Sequence, residues 1–267
     1  MLKTRLIAVL IILDGQVVQS VRFKHTNVIH YDPIHAIEAF NKWAVDEIVI
    51  LNVSRSPETR DAFADTVANI STMCYVPLAA GGWITDAEYA QRLLRSGADK
   101  IVVNSIVWDD PPLVTELSRR YGKQCVVASI DAQRIDDAIP QVVSDRGRKP
   151  TGIGAVEGAL KAVDVGAGEI LFNSIDHDGA RKGYDTETIQ AISEVVDVPV
   201  IAFGGVLKWD HLVQGIKAGA DAVAVANQFH YTEQSTKKAK AFLAKAGVTV
   251  REEGRFGGNV DWGGAPS

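Results

Sequence analysis

Cysteine is almost missing from this 267-residue chain, which holds only Cys74 and Cys125. Two thiols far apart in apolar sequence exclude a disulfide framework and read as reduced intracellular thiols. An excess of positive charge is also missing. The 28 Lys and Arg face 33 Asp and Glu, for a net charge of -5, so nucleic acid and anionic membrane surfaces are not expected partners. Long apolar runs are absent: residues 6–13 are too few to span a bilayer, and Asp14-Gly15-Gln16 does not resemble a signal cleavage site. A soluble, cytoplasmic protein is the expectation. No proline- or serine-rich linker divides the chain. It therefore reads as one domain over residues 1–252, with a flexible glycine-rich tail over 253–267. What is present, 46% hydrophobic residues and 23 glycines, is the composition of a globular protein with a sizeable core.

Short apolar runs alternate with longer amphipathic ones. Strands are expected near 5–13, 47–53, 76–80, 100–104, 124–130, 168–173, 198–203 and 222–226, each apolar on both parities, the mark of a parallel sheet covered on both faces. Helix starts lie between them at Asp32-Pro33, Ser56-Pro57, Asp110-Pro111 and Asp185, where a side chain caps free N–H groups. Eight strand–helix units point to an α/β fold, a (β/α)8 TIM barrel. A doubly wound sheet is the alternative, but it uses fewer strands and needs a Gly-rich dinucleotide turn after the first one, which this chain lacks. A repeat supports the barrel. Gly97-Ala98-Asp99 recurs 122 residues later as Gly219-Ala220-Asp221, and Glu47-Ile48 recurs at the same offset as Glu169-Ile170. Two fused half-barrels explain this spacing.

In such a barrel the site forms at the C-terminal ends of the strands. Position alone nominates Asn52, Ser54, Asn104, Ser105, Asp131, Asp176, Asp178, Gly204, Gly205 and Asn227. Asp178-Gly179, Gly204-Gly205 and Asn227 suit an anion held by backbone N–H groups, and Asn104-Ser105 with Gly81-Gly82 makes a second, pseudo-symmetric cradle. The plainer reading is that these glycines only permit tight turns. Asp131 ends an apolar strand and is the acid–base candidate; its plainer reading is a turn cap. Asp176-His177-Asp178 lacks further correctly spaced ligands, so neither a metal nor another cofactor is expected.

Several motifs, in order, carry a family resemblance. They are Arg5, Asp14-Gly15-Gln16-Val17-Val18, Gly97-Ala98-Asp99-Lys100, Ser129-Ile130-Asp131-Ala132, Gly168-Glu169-Ile170-Leu171, Asn173-Ser174-Ile175-Asp176-His177-Asp178-Gly179 and Gly183-Tyr184-Asp185. Over residues 1 to about 252 the chain resembles the HisF family, the cyclase subunit of imidazole glycerol phosphate synthase. The resemblance implies a two-fold repeated barrel, a glutaminase partner, ammonia entering at the N-terminal face, and a cyclase acting on a bisphosphate substrate. It also implies a pair of aspartates, on strands 1 and 5.

This chain departs from that pattern at the mouth. The strand-1 aspartate is Ile11, which cannot exchange a proton, so paired acid–base work is lost; one such group accounts for about 10²–10⁴-fold in rate. Trp83 replaces a loop glycine, Phe203 a serine, and Asn52 an acidic residue. These changes argue against the same bisphosphate, leaving one phosphate-like group on the side of strands 6–8. At the opposite end, the four residues that resemble the family's ammonia gate survive as Arg5, Glu47, Lys100 and Glu169. This combination resembles the WbuZ-type, glycosyl amidation-associated branch of the family. That likeness implies a HisH-like glutaminase subunit as partner and a separate ATP-dependent sugar amidotransferase as ammonia acceptor. A working cyclase of histidine biosynthesis and a non-catalytic scaffold with a charged plug are the alternatives.

Overall fold

The computed structural model describes residues 3–42, 45–135, 139–230 and 235–251; the glycine-rich tail and most of 231–236 lie outside the described residues. Eight parallel strands form the barrel: β1 (Arg5–Leu13), β4 (Glu47–Asn52), β5 (Leu78–Gly81), β6 (Lys100–Val103), β7 (Val126–Gln133), β10 (Glu169–Ser174), β11 (Val200–Phe203) and β12 (Ala222–Val225). Each pairs with the next, β12 pairs with β1, and β7 pairs directly with β10, so the cylinder closes. The doubly wound alternative is excluded.

Four strands had no counterpart in the sequence reading. β2 (Gln16–Val21) and β3 (His25–His30) form an antiparallel hairpin after β1; β8 (Gln141–Ser144) and β9 (Lys149–Gly154) form another within the polar excursion after β7. Each hairpin follows the first strand of its half-barrel, so the repeat extends to these decorations. Strand starts shift by two residues at three places. β7 begins at Val126 rather than 124, after the 3-10 turn Lys123–Cys125, and runs on to Gln133 rather than 130. β5 begins at Leu78 rather than 76, and β11 at Val200 rather than 198, because Pro77 and Pro199 donate no ladder N–H.

Strand parity sorts the interior into two cores. On β1, Leu6, Ala8, Leu10 and Ile12 face the helices, whereas Ile7, Val9 and Ile11 face the lumen. Val49, Val102, Val127, Leu171 and Ile201 join the latter, and this lumen cluster is separate from the outer core. The helices among the described residues are α1 (Pro33–Lys42), α2 (Arg60–Ser71), α3 (Ala87–Arg95), α4 (Ile106–Asp109), α5 (Pro111–Tyr121), α6 (Ala155–Asp164), α7 (Thr186–Ser193), α8 (Trp209–Lys217), α9 (Asn227–His230) and α10 (Ser235–Lys245). Three of the four expected starts are held as the sequence indicated. At the other, Ser56 caps a 3-10 turn (Pro57–Thr59), accepting from the Glu58 N–H at 3.2 Å, and α2 itself begins three residues later at Arg60 without a side-chain cap bond. Asp110 accepts from the N–H of Leu113, Asp185 from that of Thr188, and Asp32 from that of Ile34. Caps of this kind stabilise by about 1 kcal/mol each. The repeated Gly-Ala-Asp motif is structural too. Asp99 accepts from the Leu78 N–H at 2.8 Å and Asp221 from the Val200 N–H at 3.0 Å, tying each loop to the foot of the preceding strand.

Candidate functional site

The barrel floor is built from first residues. Arg5, Glu47, Lys100 and Glu169 each open a strand, so their side chains enter the lumen at the same end. Arg5 reaches Glu47 at 2.7 Å and Glu169 at 3.1 Å; Lys100 reaches the same two carboxylates at 2.9 and 3.0 Å. Each cation therefore touches both anions, in a closed and charge-neutral ring. Glu47 is 2% exposed and Glu169 9%, a burial that carboxylates tolerate only with such partners.

Above the ring the lumen is lined by apolar side chains, with Ser129 of β7 among them, up to the mouth, where Asp131 stands. β7 runs two residues past Asp131, which is therefore on the strand and not at its end. Asn104 and Asn173 each donate a side-chain N–H to its carboxylate at 3.0 Å. Burial pushes its pKa up to about 6; the Asn173 bond opposes that, the Asp178 charge adds to it, and the Asn104 bond opposes it again. Asn173 stood in the sequence only as part of a motif and not among the site candidates, although it lies on the same face as Glu169 and Leu171, the parity that points inward. Its Oδ1 is buried without a hydrogen-bond partner among the described residues.

Register places Ile11 where the other half has its acid. Ile7 pairs with Glu47, and Val127 with Glu169. Four residues further along, Ile11 and Asp131 occupy equivalent rungs of the two half-barrels. Ile11 is 6% exposed and packed in the lumen cluster, so one half offers a carboxylate and the other a hydrocarbon.

The remaining candidates divide by task. Asn52 and Ser54 hold the β4 exit together: Asn52 donates to Thr59 and accepts from the Ser54 N–H, and Ser54 accepts from the Asp14 N–H. Asp176, His177 and Asp178 point to three different partners. Asp176 accepts from the Arg134 N–H, and the His177 ring meets the Gly183 carbonyl. Asp178 accepts from Ser20 Oγ at 2.6 Å and from the N–H groups of Phe23 and Arg22, which pins the β2–β3 turn over the mouth. Burial raises the pKa of Asp178. Among the described residues no group of three or more His, Cys, Asp or Glu converges as a metal site, and no helix is long and apolar enough to cross a membrane.

Gly179, Gly204, Gly205 and Asn227 do come together. With Asp178, Arg181 and Phe203 they line a cavity of about 60 Å³, several times the space one water needs. Gly204 and Gly205 have φ of 92° and 93°, and a Cβ on Gly205 would collide with the Gly183 carbonyl, so the loop passes closer than a side chain allows. Asn104 and Ser105 lie on the other side of the mouth, with Asn104 donating to Asp131 and Ser105 accepting from the Asp145 N–H at 3.4 Å.

A closed barrel with a charged floor, a largely apolar lumen and a buried carboxylate, Asp131, at its mouth thus carries, in order, the motifs noted in the sequence. A family model described as histidine biosynthesis protein matches residues 5–235, and the chain belongs to that family as a HisF-like barrel.

Proposed function

We propose that this barrel is the ammonia-conducting subunit of a glutamine amidotransferase complex, receiving ammonia from a HisH-like glutaminase docked at its floor and releasing it at its mouth for amidation of a surface-polysaccharide sugar. The intact ring of Arg5, Glu47, Lys100 and Glu169 beneath a largely apolar lumen, with Ile11 in place of an acid, carries this reading. Neutral ammonia crosses hydrocarbon far more readily than ammonium, because burying an unpaired charge is very costly. Conduction therefore needs a gate that strips charge and a lumen lined mainly by hydrocarbon. The ring supplies one and Val49, Val102, Val127 and Leu171 the other. The mouth serves as a ligand site, with a phosphoryl group held beside Gly179, Gly204, Gly205 and Asn227.

The sugar role rests on the sequence resemblance alone. A second reading, a working cyclase, is favoured by Asp131: with a pKa near 6 it is ionised at neutral pH yet close enough in affinity to take a proton. Copurification with a cognate glutaminase, followed by glutamine hydrolysis with and without the barrel, separates the readings. A complex with stimulated hydrolysis, and no imidazole glycerol phosphate from the histidine-pathway ribonucleotide plus ammonium salt, is the expected result. No complex and no stimulation would sink the proposal, and product formation would establish the cyclase.

A further inference from the structure

The internal repeat allows the two halves of the mouth to be compared residue by residue. Leu78 pairs with Ile48, and Val200 with Ile170, so β5 and β11 occupy equivalent places. Each is followed by two residues on the left-handed side of φ: Gly82 (111°) and Trp83 (56°) in the first half, Gly204 (92°) and Gly205 (93°) in the second. The backbone takes the same path twice. In the second half two glycines leave the 60 Å³ cavity beside it, with Arg181 among its lining residues and the Asp178 carboxylate in its wall engaged by the Ser20 hydroxyl at 2.6 Å.

In the first half that space is taken by the protein itself. The Trp83 indole N–H donates to the Ser54 carbonyl at 2.7 Å. Arg146, from the tip between β8 and β9, lies over the Trp83 ring at 5.0 Å and donates to the same carbonyl at 2.8 Å. Its neighbour Asp145 brings a carboxylate of its own, bound by Arg146 at 3.0 Å and Arg148 at 2.9 Å, while its N–H takes up the Ser105 hydroxyl. A cation, an anion and an aromatic ring thus occupy this quarter, and its polar groups are engaged. An aromatic residue at φ 56° is a strained choice where the equivalent position is glycine, so the indole is kept for what it fills.

We propose that the mouth is built for a ligand bearing one phosphoryl group, seated beside Gly204 and Gly205, and that Trp83 and Arg146 are specificity-determining residues excluding a second phosphoryl from the equivalent quarter. This deepens the reading of the mouth as a ligand site and does not depend on ammonia conduction.

Calorimetric titration of the full chain with inorganic phosphate, and separately with ribulose 1,5-bisphosphate, tests it. Wild type is expected to bind one equivalent of phosphate, and the bisphosphate no more than threefold tighter. Asn227→Asp and Arg181→Glu, which add negative charge at the cavity, weaken that binding at least tenfold. Trp83→Gly combined with Arg146→Ala opens a second equivalent and tightens the bisphosphate at least tenfold. Should that pair fail to fold, Arg146→Ala alone, a change at a hairpin tip, is expected to tighten the bisphosphate at least threefold. No phosphate binding or two equivalents in wild type, or unchanged stoichiometry and affinity in the folded variants, overturns the proposal. Glutaminase stimulation on the same preparations shows whether the conduction reading falls with it.

Discussion

Asp131 is a carboxylate whose surroundings oppose its charge. Two amides hold it, yet burial wins and its pKa stands near 6 rather than below 4. Between about pH 4 and pH 6 the folded chain retains a proton there that the unfolded chain has released, so stability falls as pH rises through this window and levels off above it. The raised pKa of Asp178 pushes in the same direction. Replacing Asp131 with Asn removes the buried charge but forfeits one acceptor. We expect Asp131→Asn to stabilise the fold by about 1–2 kcal/mol at pH 7.5 and to give no gain at pH 4, where the native carboxyl is already protonated. Urea unfolding at both pH values reads this; an equal effect at the two would show that the charge is not what Asn relieves. Ile11, on the equivalent rung, sits in hydrocarbon. Ile11→Asp should cost several kcal/mol in the same assay, since no buried partner awaits the new carboxylate.

At the scale of elements, strands and helices that bury an apolar face were legible because burial writes a period into the sequence. The caps at Asp110 and Asp185 were legible because a free N–H selects its acceptor. The hairpins were not. β3 and β9 are edge strands, largely exposed, reading His-Thr-Asn-Val-Ile-His and Lys-Pro-Thr-Gly-Ile-Gly, and only pairing with β2 and β8 makes them strands. For the same reason Arg146 carried no signal: its role exists only where the β8–β9 tip crosses to Trp83 and Ser54. A further tie of this kind joins α10 to the floor. Lys240, 7% exposed, meets Asp46 Oδ1 at 2.6 Å, while Asp46 Oδ2 accepts from the Leu6 N–H at 2.8 Å. One carboxylate, next in sequence to Glu47, thus locks α10 to the residue after Arg5. Lys240→Met leaves that charge buried without its cation and should cost about 3–5 kcal/mol. Asp99→Asn, which weakens an exposed tie of the same type, should cost about 1 kcal/mol or less. Denaturant midpoints compare the two, and a Lys240→Met loss below 1 kcal/mol would show that Asp46 finds water instead.

Across the whole molecule both ends of the barrel depart from the repeat, in different ways. At the mouth Asp131 stands against Ile11 and Gly205 against Trp83. At the floor the carboxylates are kept, Glu47 against Glu169, while both cations, Arg5 and Lys100, come from the first half, with Cys125 and Ala222 at the equivalent places. A ring in which each cation touches both carboxylates is balanced as a unit rather than as separate pairs, and this has a measurable signature. Lys100→Met alone leaves two buried carboxylates sharing Arg5, and Glu169→Gln alone leaves two cations sharing Glu47. Each single change strands a charge and should cost about 3–5 kcal/mol. The double variant retains Arg5 against Glu47 at 2.7 Å, a neutral pair, so its loss should fall short of the sum by about 1–3 kcal/mol. Chemical denaturation of the four proteins at one pH yields that coupling directly. Additive losses would mean that water screens each charge separately, and a floor so wet would not separate ammonia from ammonium. A large coupling means a dry and closed ring, the condition under which opening it can be linked to a partner bound beneath.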